Sequence, residues 1–209
     1  SAGKNHSNIK QKDHMKKLLV IQIAASLMFA SPVFSGWEEG MAASRAGDYK
    51  KAYTELLPLA EQGNVSAQTA VGVMYFNGQG VPQDFNAALV WLNIAANQGH
   101  DVAQFNLAVM YDSGSGTDQN FAEAVKWYRL AASQKHVMAQ FNLASMFQSG
   151  DGVNKDLSRA HMWFNIASTL GNADAAAKVA QLESQMTVQQ ITTAQALAGE
   201  CIDSGFKNC

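Results

Sequence analysis

The chain has 209 residues, 47% of them hydrophobic and 15% charged, with a formal net charge of −2. That length suits one domain with a substantial core. Five of the fifteen Lys and Arg residues but one of the seventeen acids precede residue 36, leaving ten basic against sixteen acidic residues, near −6, in the remainder. A net negative remainder excludes the basic footprint that nucleic acid or an anionic lipid surface requires.

Residues 1–14 precede a natural-looking start and read as upstream sequence. From Met15 onward, Lys16 and Lys17 are followed by a largely apolar run of 13 residues, Leu18 to Ala30, and then by Val33 and Ser35. A basic n-region, a short apolar h-region and small residues at −3 and −1 describe a secretory signal over 15–35, with cleavage leaving Gly36 first. The apolar run falls short of the roughly 20 residues that span a bilayer. No cysteine lies near the cleavage point to carry a lipid. The expectation is a periplasmic or secreted protein with no stable membrane anchor after signal cleavage.

A 36-residue period follows, with three ungapped units at 64–99, 100–135 and 136–171. Equivalent positions are Ala67, Ala103 and Ala139; Tyr75, Tyr111 and Phe147; and Trp91, Trp127 and Trp163. A fixed period of this length marks a stacked repeat array. In the middle unit Ala103, Leu107 and Tyr111 form one helical stripe, and Ala124, Trp127, Tyr128, Ala131 and Ala132 form a second. Each unit therefore reads as helix, turn, helix, with alanines permitting close approach and a ladder of tryptophans as the spine of the core.

The turn carries G-x-G at Gly78/Gly80, Gly114/Gly116 and Gly150/Gly152. In the middle unit it precedes Glu123, Lys126 and Arg129, a candidate phosphate cradle beside catalytic charges. The other units keep the glycines but place Ala87, Val90 and Asn93, or Arg159, Met162 and Asn165, at the charged positions. Glycine is thus expected to supply positive φ at a helix end. Asp84, Asn120 and Asp156 are expected to cap the second helices.

Residues 36–63 read as an N-terminal half-repeat cap: Asp48, Ala52, Ala60 and Gly63 match Asp84, Ala88, Ala96 and Gly99. Trp37 to Ala46 would be its shortened first helix. Residues 172–209 read as a C-terminal helical cap, with helices expected over 173–186 and 187–197, the latter capped by Thr187. Cys201 and Cys209, the only cysteines, are expected to form a disulfide in an exported chain.

The A-x-x-x-L-A-x-x-Y run at Ala103 to Tyr111, the G-x-G, and the A-x-x-W-Y-x-x-A-A run at Ala124 to Ala132 resemble the Sel-one-like repeat family, bacterial exported members included. The likeness covers about 64 to 172. It implies an all-α, right-handed α/α solenoid of helix-turn-helix repeats related to the tetratricopeptide repeat. It also implies a non-enzymatic scaffold or adaptor, since members serve in secretion, envelope assembly and host contact. First helices would line the concave face. Thr69, Val73, Phe76, Phe105, Val109, Asp112, Phe141, Ser145 and Gln148 would then form a groove for another protein or peptide segment. Phe105 and Phe141 either hold that partner or pack between adjacent first helices. None of 65–76, 101–112 and 137–148 contains Lys or Arg. The groove is therefore expected to take an apolar or aromatic segment rather than a carboxylate.

Competing chemistry is thin, and neither a cofactor nor a metal is expected. A cysteine-rich branch of the family is linked to β-lactam binding and weak β-lactamase activity, but these repeats hold no cysteine. The S-x-x-K at Ser204 to Lys207 has no accompanying S-D-N or K-T-G. His100 and His136 sit one repeat apart, too far for a shared zinc. His161 stands alone, exposed or packed in the core. Asp112 and Asp118 lack the other ligands of a calcium loop. An effector or immunity-type protein binding one target is the remaining alternative.

Overall fold

The computed structural model describes residues 32–207 and 209, with side chains from residue 36 onward. The upstream segment and most of the expected signal lie outside the described residues. Ten helices and no strand occur among those described. They are α1 Pro32–Arg45, α2 Tyr49–Glu61, α3 Val65–Asn77, α4 Phe85–Asn97, α5 Asp101–Ser113, α6 Phe121–Ser133, α7 Val137–Ser149, α8 Leu157–Thr169, α9 Ala173–Glu183 and α10 Val188–Asp203. None is long and apolar enough to cross a membrane. Each helix from α1 to α8 packs on the next, and α10 returns to lie on α8. The fold is an all-α repeat solenoid.

Polar caps set the helix boundaries and recur with the period. Asp84, Asn120 and Asp156 accept backbone N–H bonds at the starts of α4, α6 and α8, and Asp48 does the same for α2. First helices begin at Asn64, His100, His136 and Asn172, again 36 residues apart. Asn64, His136 and Asn172 each accept an N–H that the helix cannot satisfy, whereas the His100 side chain makes no cap bond.

The two glycines of each turn do different work. The first, Gly78, Gly114 or Gly150, ends its helix in the left-handed conformation. The second lets two repeats meet. A Cβ on Gly116 would lie 2.8 Å from the Phe85 carbonyl oxygen, at the start of the preceding repeat's second helix. Gly80 meets Tyr49, and Gly152 meets Phe121, in the same way. Backbone touches backbone there, so no side chain fits.

The core is one apolar seam from Ala88 to the C-terminal tail, preceded by a smaller cluster around Leu56, Val71 and Met74. Its spine differs from the expected tryptophan ladder. Trp127 and Trp163 are buried, but Trp91 is half-buried, as is Tyr111. The residue after each tryptophan goes deepest: Leu92, Tyr128 and Phe164 are all 0% exposed. Helix rotation places that next position between the two helices of its own repeat.

A buried glutamine ties neighbouring repeats together. The Nε2 groups of Gln68, Gln104 and Gln140 donate to the carbonyls of Ala60, Ala96 and Ala132, at 3.2, 3.2 and 3.1 Å. The Oε1 atoms of Gln68 and Gln104 accept from Gln98 and Gln134, both at 2.8 Å. Leu170 stands at the next such position, 43% exposed, and the Oε1 of fully buried Gln140 has no partner. Leu170→Gln is therefore expected to stabilise the chain by about 1 kcal/mol, the net worth of one such hydrogen bond. Urea denaturation of the two chains measures it, and an unchanged midpoint counts against the relay.

The C-terminal cap departs from expectation in length. Its helices run to Glu183 and Asp203 rather than Met186 and Leu197. Thr187 forms a capping box with Gln190. Cys201, buried on α10, is disulfide-bonded to Cys209 with Cα atoms 5.0 Å apart.

Candidate functional site

Two hollows open on the face made by the first helices. The N-terminal one, about 340 Å³, is walled by Trp37 and Met41 of α1, Thr69 and Val73 of α3, and His100 and Val102. The C-terminal one, about 420 Å³, lies among α5, α7 and α9 and is lined by Asp112, Asn142, Ser145, Gln148, Asp151 and Lys178. The first is largely apolar and the second polar.

The nine expected groove residues divide between these hollows and the packing beside them. Thr69 and Val73 enter the first, although Thr69 is 4% exposed and its hydroxyl donates to the Val65 carbonyl. Asp112, Ser145 and Gln148 enter the second. Phe76, Phe105, Val109 and Phe141 are half-buried and pack against the core. Phe105 stacks on His136 with ring centroids 4.5 Å apart and leans on Tyr128 at 6.0 Å. Phe141 meets Phe164 edge-on at 5.2 Å. Each phenylalanine thus leans on the second helix of its own repeat, and neither lines either hollow.

A short polar chain organises the C-terminal hollow. The Tyr128 hydroxyl donates to Asp112 Oδ2 at 3.2 Å and accepts from Asn142 Nδ2 at 3.0 Å. Burial, above all, pushes the Tyr128 phenol up, and the Asp112 carboxylate adds to this while the Asn142 donor opposes it. The phenol stays a donor throughout the physiological range, and Asp112 is held in place. Lys178 enters from α9, and no carboxylate among the described residues lies within ion-pair distance of it. The absence of cations from the three first helices concealed this lysine, which the capping helix supplies. Counting position 142 forward by one period reaches Lys178, and that was the available signal.

His136 shows how packing and titration combine beside the groove. Its Nδ1 accepts from the Ala139 N–H at 3.2 Å, a bond that only the neutral ring can make. Burial lowers its pKa, partly opposed by Asp101. A depressed folded-state value means that the stabilisation is fully present above the unfolded pKa of about 6.5 and is lost as pH falls through the folded value. Thermal unfolding is expected to show Tm falling as pH drops from about 7.5 to 5, with a shallower slope in His136→Asn, whose amide caps without titrating. Equal slopes would dismiss this assignment.

The remaining sequence candidates are placed plainly. His161 is in the core, 1% exposed, with Nε2 2.9 Å from Glu183 Oε1. Ser204 donates to the Cys201 carbonyl, within the disulfide-closed tail. Glu123 and Lys126 pair with each other on the surface at 3.1 Å. Among the described residues no three His, Cys, Asp or Glu side chains gather where one metal ion could be held.

Comparison with known proteins places this geometry. The Sel1 repeat model matches residues 65–100, 101–136 and 137–172, a frame one residue later than that read from the sequence. Among solved structures, the chain is similar to a protective antigen present in uropathogenic Escherichia coli strains that displays an SLR fold. Identity there is 33% and the TM-score 0.70, over 78% of this chain and 36% of that one. It is also similar to a Sel1 repeat protein from Oxalobacter formigenes, at 30% identity and TM-score 0.68, over 81% of this chain and 77% of that one. The chain thus spans about a third of the length of the first. No curated protein matches. Three consecutive matched repeats, each with its paired glycines and buried glutamine, carry the conclusion that the chain belongs to the Sel1 repeat family.

Proposed function

We propose that this chain is a non-enzymatic scaffold of the bacterial envelope, periplasmic or secreted, that holds a partner segment along its first-helix face. Sel1 repeat proteins generally mediate protein–protein interaction, which supports this reading. The observation that carries this reading is the pair of hollows on that one face, apolar toward α1 and polar toward α9. A segment laid along it would seat apolar or aromatic side chains beside Trp37, Met41 and Val73. It would turn polar ones toward Asp112, Asn142 and Lys178. Apolar side chains buried in pockets dominate such interfaces, and polar rims set register. The N-terminal hollow supports the apolar or aromatic partner expected from the sequence; Lys178 adds an acidic or carbonyl contact at the other end.

Site-specific photocrosslinking in the exporting cell tests this. A benzophenone side chain is placed at Val109 or Gln148 on the groove, and at Val90, 58% exposed on α4, as the control. The same protein joined from both groove positions and not from Val90 is the expected result. Crosslinks formed only from Val90 would remove the groove from consideration.

A further inference from the structure

The opposite face carries a hollow that the groove does not explain. It measures about 560 Å³ and lies between α6, α8 and the disulfide-closed tail. Val125 and Leu130 of α6, Trp163 of α8 and Phe206 of the tail form apolar walls. Arg129 and Lys207 stand at its edges. This volume falls within the range of sites that enclose a small organic molecule. The tail that completes it has no counterpart in the repeats, so the hollow is peculiar to this end of the chain.

Two of its polar groups lack partners. Trp163 is 2% exposed, and its indole nitrogen is buried without a hydrogen-bond acceptor. The equivalent Trp127 nitrogen is orphaned in the same way, so this feature belongs to the repeat rather than to the hollow. Arg129 has no carboxylate within ion-pair distance among the described residues. Its guanidinium lies instead 5.3 Å from the Phe147 ring, which it shares with Arg159 at 5.7 Å. Arg159 is paired with Asp156 at 3.5 Å, whereas Arg129 keeps a like charge as neighbour. Burial and Arg159 both lower the Arg129 pKa, consistent with a cation short of counter-charge. Lys126, by contrast, is occupied by Glu123.

We propose that this hollow binds a small amphiphilic anion, with its apolar body against Val125, Leu130, Trp163 and Phe206 and its carboxylate or sulfonate held by Arg129. A guanidinium offers two parallel donors to such a group. The apolar walls supply the remaining affinity by removing surface from water. The chain as a whole is acidic, so a cationic hollow in it selects this charge locally rather than by general attraction.

The test uses the full chain, ¹⁵N-labelled on its tryptophan indoles, and two probes that differ in one charge. These are 1-anilinonaphthalene-8-sulfonate and its neutral analogue N-phenyl-1-naphthylamine. The Trp163 cross-peak is assigned by its absence from Trp163→Phe, so probe bound elsewhere on the chain does not enter the reading. The sulfonate is expected to shift that peak saturably and to bind about tenfold more tightly than the neutral probe, as one charge-assisted contact implies. Arg129→Gln, at an exposed position, is expected to remove most of that difference while leaving the neutral probe's affinity in place. Ala122→Trp, also exposed and lining the hollow, is expected to block both probes. A Trp163 peak that never moves overturns the proposal. So do equal affinities for the two probes, or variants that titrate like the parent chain.

Discussion

Gly116→Ala is expected to destabilise the chain by roughly 3 kcal/mol, the sum of two separable costs. Gly116 has φ +76, a conformation that costs an L-residue about 1–2 kcal/mol. The new methyl group would also lie 2.8 Å from the Phe85 carbonyl oxygen and from Phe85 Cβ, forcing the repeats apart at a further cost of about 1–3 kcal/mol. Gly99→Ala isolates the first cost, because Gly99 has φ +91 but nothing within 4 Å of its added Cβ. Urea denaturation of the parent and both variants separates the contributions. If Gly99→Ala proves as damaging as Gly116→Ala, the close backbone approach is not what seats one repeat on the next.

Removing the Tyr128 ring is the second large effect. Tyr128 is 0% exposed in the middle of the central core, so Tyr128→Ala is expected to cost about 3–5 kcal/mol through lost burial and the cavity left behind. Tyr128→Phe keeps the ring and deletes the hydroxyl, leaving Asp112 and Asn142 to water in an open hollow. Its expected cost is about 1 kcal/mol. The two variants thus divide the residue's packing role from its place in the groove. Nearly equal costs would mean that the hydroxyl chain, not the ring, sustains this part of the core.

Much of this architecture was legible because the same instructions are written three times. Capping side chains at Asp84, Asn120 and Asp156, and glycines at 78, 114 and 150, act within a few residues of their own positions. Local chemistry of that kind reads directly from sequence. The buried glutamines did not. Ala-Gln recurs at 67–68, 103–104 and 139–140, but the partners of Gln68 and Gln104 lie 30 residues away, and glutamine is ordinarily a surface residue. The choice between Trp127 and Tyr128 as the deepest residue also escaped. Both lie on the same broad apolar stripe, and only the rotation of α6 against α5 separates them. Lys178 and the length of α10 lie where the period fades, so no second copy corrected the reading. The groove was partly legible: Asp112, Ser145 and Gln148 share one hollow, while Phe105 and Phe141 are engaged with Tyr128 and Phe164.

The glutamine relay also sets where the array comes apart. Gln68, Gln104 and Gln140 each cross a junction between consecutive units, joining α3 to α2, α5 to α4 and α7 to α6. One period later the position is Ala176, which has no side chain to reach from α9 to the Ser168 carbonyl of α8. In an array stabilised by nearest-neighbour contacts, the junction with fewest ties opens at the lowest free energy. The side-chain tie between α8 and α9 is instead His161 to Glu183, whose carboxylate is partly exposed, so amide protons of α9 are expected to exchange with solvent before those of α3 to α8. Protection across the chain is expected to fall at the boundary where Ala176 replaces the glutamine.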